Sequence, residues 1–98
     1  MDKLHVIETL RAHEPELKAA GIVHLRLFGS VARGDSSATS DVDLIADLDP
    51  AQRFTLLTMV NLENRLADLL GVKVDLAPSA SLKETVHQHA VRESVLAF

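Results

Sequence analysis

Leu27-Phe28-Gly29-Ser30-Val31-Ala32-Arg33-Gly34, followed after a short polar stretch by Asp41-Val42-Asp43-Leu44, is the part of the chain from which the rest can be read. The residues leading into it, Ile22–Phe28, predict a strand, with Val23, Leu25 and Leu27 on one face and His24 and Arg26 on the other. Gly29-Ser30 then reads as a turn, continued by a helical turn over 30–33 that Gly34 stops. Residues 35–40 read as a polar loop and 42–48 as a second strand. Side chains alternate across a strand, so Asp41 and Asp43 share one face while Val42 and Leu44 take the other. Two carboxylates side by side repel each other and resist desolvation, and a fold keeps such a pair mainly where a cation compensates. Hard oxygen ligands of this kind suit Mg²⁺.

Working outward, Asp49-Pro50 reads as a helix start, a cap followed by proline at the first position, with the helix running to about residue 70 and ending at Gly71. At 100° per residue, Arg53, Thr58, Asn61, Asn64, Arg65 and Asp68 fall on its polar side. Leu56, Met59, Val60, Leu62, Leu66, Ala67, Leu69 and Leu70 fill the other. Glu63 sits inside that apolar arc without a reason in the sequence. Residues 72–76 predict a third strand carrying Asp75, which can lie beside Asp43 if the two strands are neighbours. Towards the N-terminus, Leu4, Ile7 and Leu10 recur at helical spacing, with Asp2 available as a cap. Pro15 closes that helix and opens a second, finishing at Gly21. A last helix is predicted over 81–89, and 91–98 fits a helix or a short strand equally. These elements give an α+β fold with α/β-type layers. The expected architecture is a small mixed sheet of about three or four strands covered by helices, in one domain over residues 1–98.

The bulk properties narrow the function. Fourteen acids against ten Lys plus Arg leave a net charge of −4, and the aromatics are three Phe. That balance opposes a nucleic acid as the main partner, because such binders carry a basic footprint and stacking platforms. A nucleotide remains compatible, since metal and backbone N–H groups can meet its phosphates. There are no cysteines, so disulfides and thiolate metal sites are excluded. No stretch approaches the roughly 20 apolar residues of a membrane span. No signal-peptide pattern opens the chain, so a cytoplasmic protein is expected.

Asp41, Asp43 and Asp75 at one end of a sheet would hold two Mg²⁺ ions about 4 Å apart, the spacing used for in-line displacement at phosphorus. Glycine at 29 lets the backbone approach a phosphate. The Ser30 hydroxyl and the N–H groups after it can bind the outer phosphates. Arg33 can contribute a further phosphate contact or be a surface charge. Plainer alternatives stand beside these: the Asp pair as a solvated strand end, and Ser30 as a simple cap. Asp47 and Asp49 carry no chemistry in this reading. His5, His13, His24, His87 and His89 form no ligand cluster and default to surface or half-buried roles.

The combined pattern, with Ser40-Asp41-Val42-Asp43-Leu44 and Val74-Asp75-Leu76, resembles the minimal nucleotidyltransferases of the DNA polymerase β-like superfamily. The resemblance implies that Asp41 and Asp43 bind both metals. Asp75 would bind the catalytic metal and serve as base for the acceptor hydroxyl, while Gly29 and Ser30 contact the triphosphate. It also implies ATP as donor and a partner that brings the acceptor, because larger relatives carry a helical acceptor domain that is missing here. That partner would be a HEPN-domain ribonuclease toxin, silenced by transfer of AMP to a tyrosine near its active site, with this chain as antitoxin. Two other functions compete. One is a nucleotidyltransferase for a small, aminoglycoside-type acceptor completed by another subunit; the other is an antitoxin acting by contact alone.

Overall fold

The computed structural model describes residues 2–34 and 41–98, so the expected loop over 35–40 lies outside the described residues. Helix α1 (Lys3–Ala12) buries Val6, Ile7 and Leu10. Leu4, expected with them, is 62% exposed, because Val6 takes its place and moves the apolar stripe around the helix. Asp2 occupies the cap position without a capping hydrogen bond from its side chain. Helix α2 (Glu14–Ala19) holds Pro15 in its first turn, where a missing N–H costs nothing.

Strand β1 (Ile22–Phe28) pairs antiparallel with β2 (Val42–Leu48), both with the bounds read from the sequence. The pairing slips once: Ile22 faces Leu48 but His24 faces Asp47. The extra residue is a β-bulge, and it inverts the alternation at the start of the strand. Ile22 is therefore buried and Val23, expected inside, is 41% exposed. Between the two strands lies the short helix α3 (Gly29–Arg33), stopped at Gly34.

Asp49-Pro50 does not begin a helix. The Asp49 carboxylate accepts the Ala51 N–H at 2.9 Å and its carbonyl accepts the Gln52 N–H at 3.1 Å, a tight turn that reverses the chain after β2. Helix α4 (Leu56–Leu70) begins later, at a reciprocal cap. The Thr58 N–H donates to the Thr55 hydroxyl at 3.2 Å, and the Thr55 N–H donates to the Thr58 hydroxyl at 2.7 Å. Its apolar arc divides. Leu62, Leu66 and Leu70 are buried, whereas Leu56 is 83% and Val60 45% exposed. Glu63, unexplained by the helical pattern, accepts the Leu76 N–H at 3.0 Å.

Strand β3 (Val74–Pro78) starts two residues beyond its expected position and runs parallel to β2. A 3₁₀ turn (Ser79–Ser81) follows, then α5 (Glu84–Glu93), later than the expected 81–89, and β4 (Val95–Leu96). The ambiguous ending thus splits into helix and strand. The mixed sheet has the order β3-β2-β1-β4. Its core face, with Leu25, Leu27, Val42, Leu44, Val74 and Leu76, joins one cluster with Leu10, Leu17, Leu62 and Leu66. Each such side chain contributes roughly 1.5–3 kcal/mol relative to exposure. Among the described residues no charged or polar one is fully buried, and no helix is long and apolar enough to cross a membrane.

Candidate active site

The sheet register decides the site. Phe28 on β1 pairs with Asp43 on β2, and Asp43 pairs with Asp75 on β3. The three residues therefore form one cross-strand row, and directly opposed residues of neighbouring strands point to the same face. Leu44 and Leu76, one step along, turn into the core and anchor both acid-bearing strands. The sequence expectation that Asp75 lies beside Asp43 is met by this parallel pairing.

Burial raises the Asp43 carboxyl above the usual aspartate range. The charges of Asp75 and Asp41 push the same way, and Arg33 partly offsets them. Asp43 is thus the electrostatic centre of the group, and it is the position at which a cation would relieve most repulsion. Asp41, exposed just ahead of β2, stands 4.0 Å from the Lys73 ammonium. Among the described residues no three His, Cys, Asp or Glu side chains stand grouped as a ready ligand set. Asp43 and Asp75 share the row, while Asp41 lies at its solvent edge.

Gly29 is buried and has φ +77°, a left-handed backbone that side chains disfavour. A Cβ there would also fall on the Asp43 carboxylate. Glycine is required at 29 for both reasons, and its backbone is brought into close approach with the central acid. Ser30 is half-buried in the first turn of α3, where no side chain provides a cap. Arg33 closes that helix and acts on Asp43 through its charge.

Beside the row lies a cleft of about 230 Å³ lined by Phe28, Asp43, Ile45, Asp75, Ala77, Leu82 and His89. Its walls are mostly apolar with the two acids at one side. Leu82 and His89 were not legible as site residues. They enter because α5 and the segment before it fold back over the sheet face, a packing that local patterns do not encode. His89 pairs with Glu93 at 3.2 Å, one helical turn along.

A mixed sheet that sets two acids in register beside a Gly-Ser turn defines a phosphoryl-transfer type of protein, in which carboxylates and backbone amides handle phosphate groups. The chain belongs to the nucleotidyltransferase family of polymerase β: the family model described as "Polymerase beta, Nucleotidyltransferase" matches residues 6–98. The protein adenylyltransferase MntA of Thermococcus cleftensis is 38% identical over 87 residues, spanning 88% of this chain and 86% of the relative. A solved structure provisionally described as a minimal nucleotidyltransferase is 35% identical, with a TM-score of 0.73, covering 97% of this chain and 95% of its own. A complex of a tri-AMPylated Shewanella oneidensis HEPN toxin with an MNT antitoxin matches with a TM-score of 0.61. It covers 98% of this chain and 68% of that one, and at 22% identity the likeness shows the fold.

Proposed function

We propose that this protein transfers AMP from ATP to a tyrosine hydroxyl of a HEPN-type toxin and acts as that toxin's antitoxin. The observation that carries the reading is the Asp43–Asp75 row with Gly29 held against it. The adenylyltransferase relative at 38% identity supports the reaction, and the AMPylated toxin complex of the same fold supports the acceptor.

The donors at the site fit Mg²⁺: they are carboxylate oxygens, and Asp43 carries an electrostatic load from its neighbours. Asp41, Asp43 and Asp75 would hold two ions, with Asp41 exchanging Lys73 for metal. When bound, the metal neutralises the triphosphate and lowers the proton affinity of the attacking hydroxyl. The protein groups do the rest. Gly29 and Ser30 hold the outer phosphates through backbone N–H groups and the serine hydroxyl, with Arg33 adding charge. The acceptor oxygen forms a bond to the α-phosphorus as the bond to the β-phosphate bridging oxygen breaks. Pyrophosphate leaves, and the hydroxyl proton passes to the Asp75 carboxylate. AMP on the toxin adds bulk and negative charge where RNA must enter. Leu56, Leu57 and Val60, exposed on α4, give apolar surface suited to a protein partner.

The test is the intact mass of the co-expressed partner before and after incubation with MgATP. A gain of one or more AMP units, absent with Asp43→Asn, supports the reading. A stable complex with no mass gain overturns the transfer reaction and leaves neutralisation by contact.

A further inference from the structure

We infer that Glu63 is a positioning residue for Asp75, acting through the backbone of β3; the inference rests on Asp75 being the catalytic base of the proposed transfer. Glu63 lies on the core-facing side of α4 between the buried Leu62 and Leu66, where the helical pattern calls for an apolar residue. Its carboxylate oxygen Oε2 accepts the N–H of Leu76 at 3.0 Å, in a half-buried setting. The bond goes to the residue immediately after Asp75.

The sheet topology gives this bond its effect. β3 is an edge strand, paired on one side with β2. In a parallel ladder the N–H and C=O groups of alternate residues turn to the same neighbour. The Val42 N–H donates to the Lys73 carbonyl at 3.0 Å, so Lys73 and Asp75 direct their backbone groups to β2 and Leu76 directs its own to the open edge. The peptide linking Asp75 to Leu76 is therefore held at both ends, its carbonyl by β2 and its N–H by Glu63. Rotation of that peptide is rotation about the Asp75 backbone, which would swing the carboxylate relative to Asp43. An edge strand without such a tie presents free N–H groups and frays. A carboxylate acceptor makes the tie about twice as strong as a neutral one.

Two variants separate positioning from simple stabilisation: Glu63→Met keeps length and loses the acceptor, and Glu63→Gln keeps a carbonyl acceptor. Residue-resolved amide exchange and transfer kinetics would be measured on the full chain with its partner, below the melting range of each variant. The Leu76 amide should exchange about tenfold faster or more in Glu63→Met, with the β1 amides unchanged. The maximal transfer rate should fall on the order of 10- to 100-fold, with the KM for ATP within about twofold. Glu63→Gln should recover both to within about threefold of the wild type. A Glu63→Met protein that transfers at the wild-type rate overturns the inference. So does faster exchange spread evenly over the sheet, which would mark general destabilisation. If the wild type transfers nothing, the functional reading fails, and the exchange measurement still decides whether Glu63 holds the strand of Asp75.

Discussion

Gly29→Ala isolates the close approach on which the site depends, because Gly71 supplies a matched control. Gly29 has φ +77° and Gly71 φ +71°, so alanine meets nearly the same backbone strain at both positions. That strain is about 1–2 kcal/mol, and each kcal/mol lowers the melting temperature of a domain this size by roughly 4–8 °C. The surroundings differ. Nothing lies within 4 Å of a Cβ at 71, whereas at 29 the Cβ falls on the Asp43 carboxylate, which must retreat by about an ångström to reach ordinary contact distance. A displacement of that size at a reacting centre costs on the order of 100-fold in rate. Gly71→Ala should therefore melt lower but transfer AMP within about threefold of the wild type. Gly29→Ala should melt lower still and transfer on the order of 100-fold more slowly. Differential scanning calorimetry and a single-turnover assay with labelled ATP read the two quantities. A check independent of activity is available as well: in an Asp43→Ala background the thermal penalty of Gly29→Ala should shrink to that of Gly71→Ala. Equal rates for the two glycine variants, or a penalty unchanged in that background, would refute the steric argument.

Burial and its two acidic neighbours make the folded Asp43 hold its proton more tightly than the unfolded chain does, so its charge opposes folding at neutral pH. Asp43→Asn should melt above the wild type at pH 7.5, with the gap closing as pH falls through the raised carboxyl value; a gap constant down to acid pH would sink this. Glu16 behaves oppositely. The hydrogen bonds from His13 and then Arg65 hold its carboxyl below the usual range, so its stabilising effect exists above the unfolded glutamate value and disappears as pH falls through the lowered one. Glu16→Gln should melt below the wild type at neutral pH and level with it in acid, as thermal scans across pH would read. Thr55→Ala removes half of the cap that starts α4 and should cost about 1 kcal/mol in urea unfolding with an unchanged slope.

Of the strands that carry the site, β1 and β2 were readable to the residue because their signals are local, whereas β3 starts two residues later than its pattern implies. Alternation bounded β1 and β2, and the Asp-Val-Asp spacing fixed a shared face before any tertiary contact was known. What escaped was decided by partners distant in sequence. Val23 is exposed because β1 gains a bulge against β2, and a bulge is a property of the pair rather than of either strand. Asp49-Pro50 satisfies the rules for a helix start and for a turn alike. The turn prevails because the Asp49 N–H is held by the Gly21 carbonyl at 2.8 Å, and the helix waits for the Thr55 cap. Glu63 looked like an error in an apolar arc because its partner is the backbone of another element. His89 reaches the cleft through the fold-back of α5, to which helical periodicity is blind.

The parallel pairing of β2 with β3 also bears on how the protein comes into being. Parallel neighbours cannot be joined by a tight turn, and here the whole of α4 lies between them. Asp43 and the Gly29 turn belong to an antiparallel neighbourhood that local chain closure can form early. Asp75 arrives when the crossover closes, a step that pays its entropy before it gains its contacts. A partly folded chain can thus hold Asp43 against the Gly29 turn and still lack Asp75 beside it. The row of acids is tied to the long-range event of folding, because Asp43 gains Asp75 as its neighbour only when β3 docks beside β2.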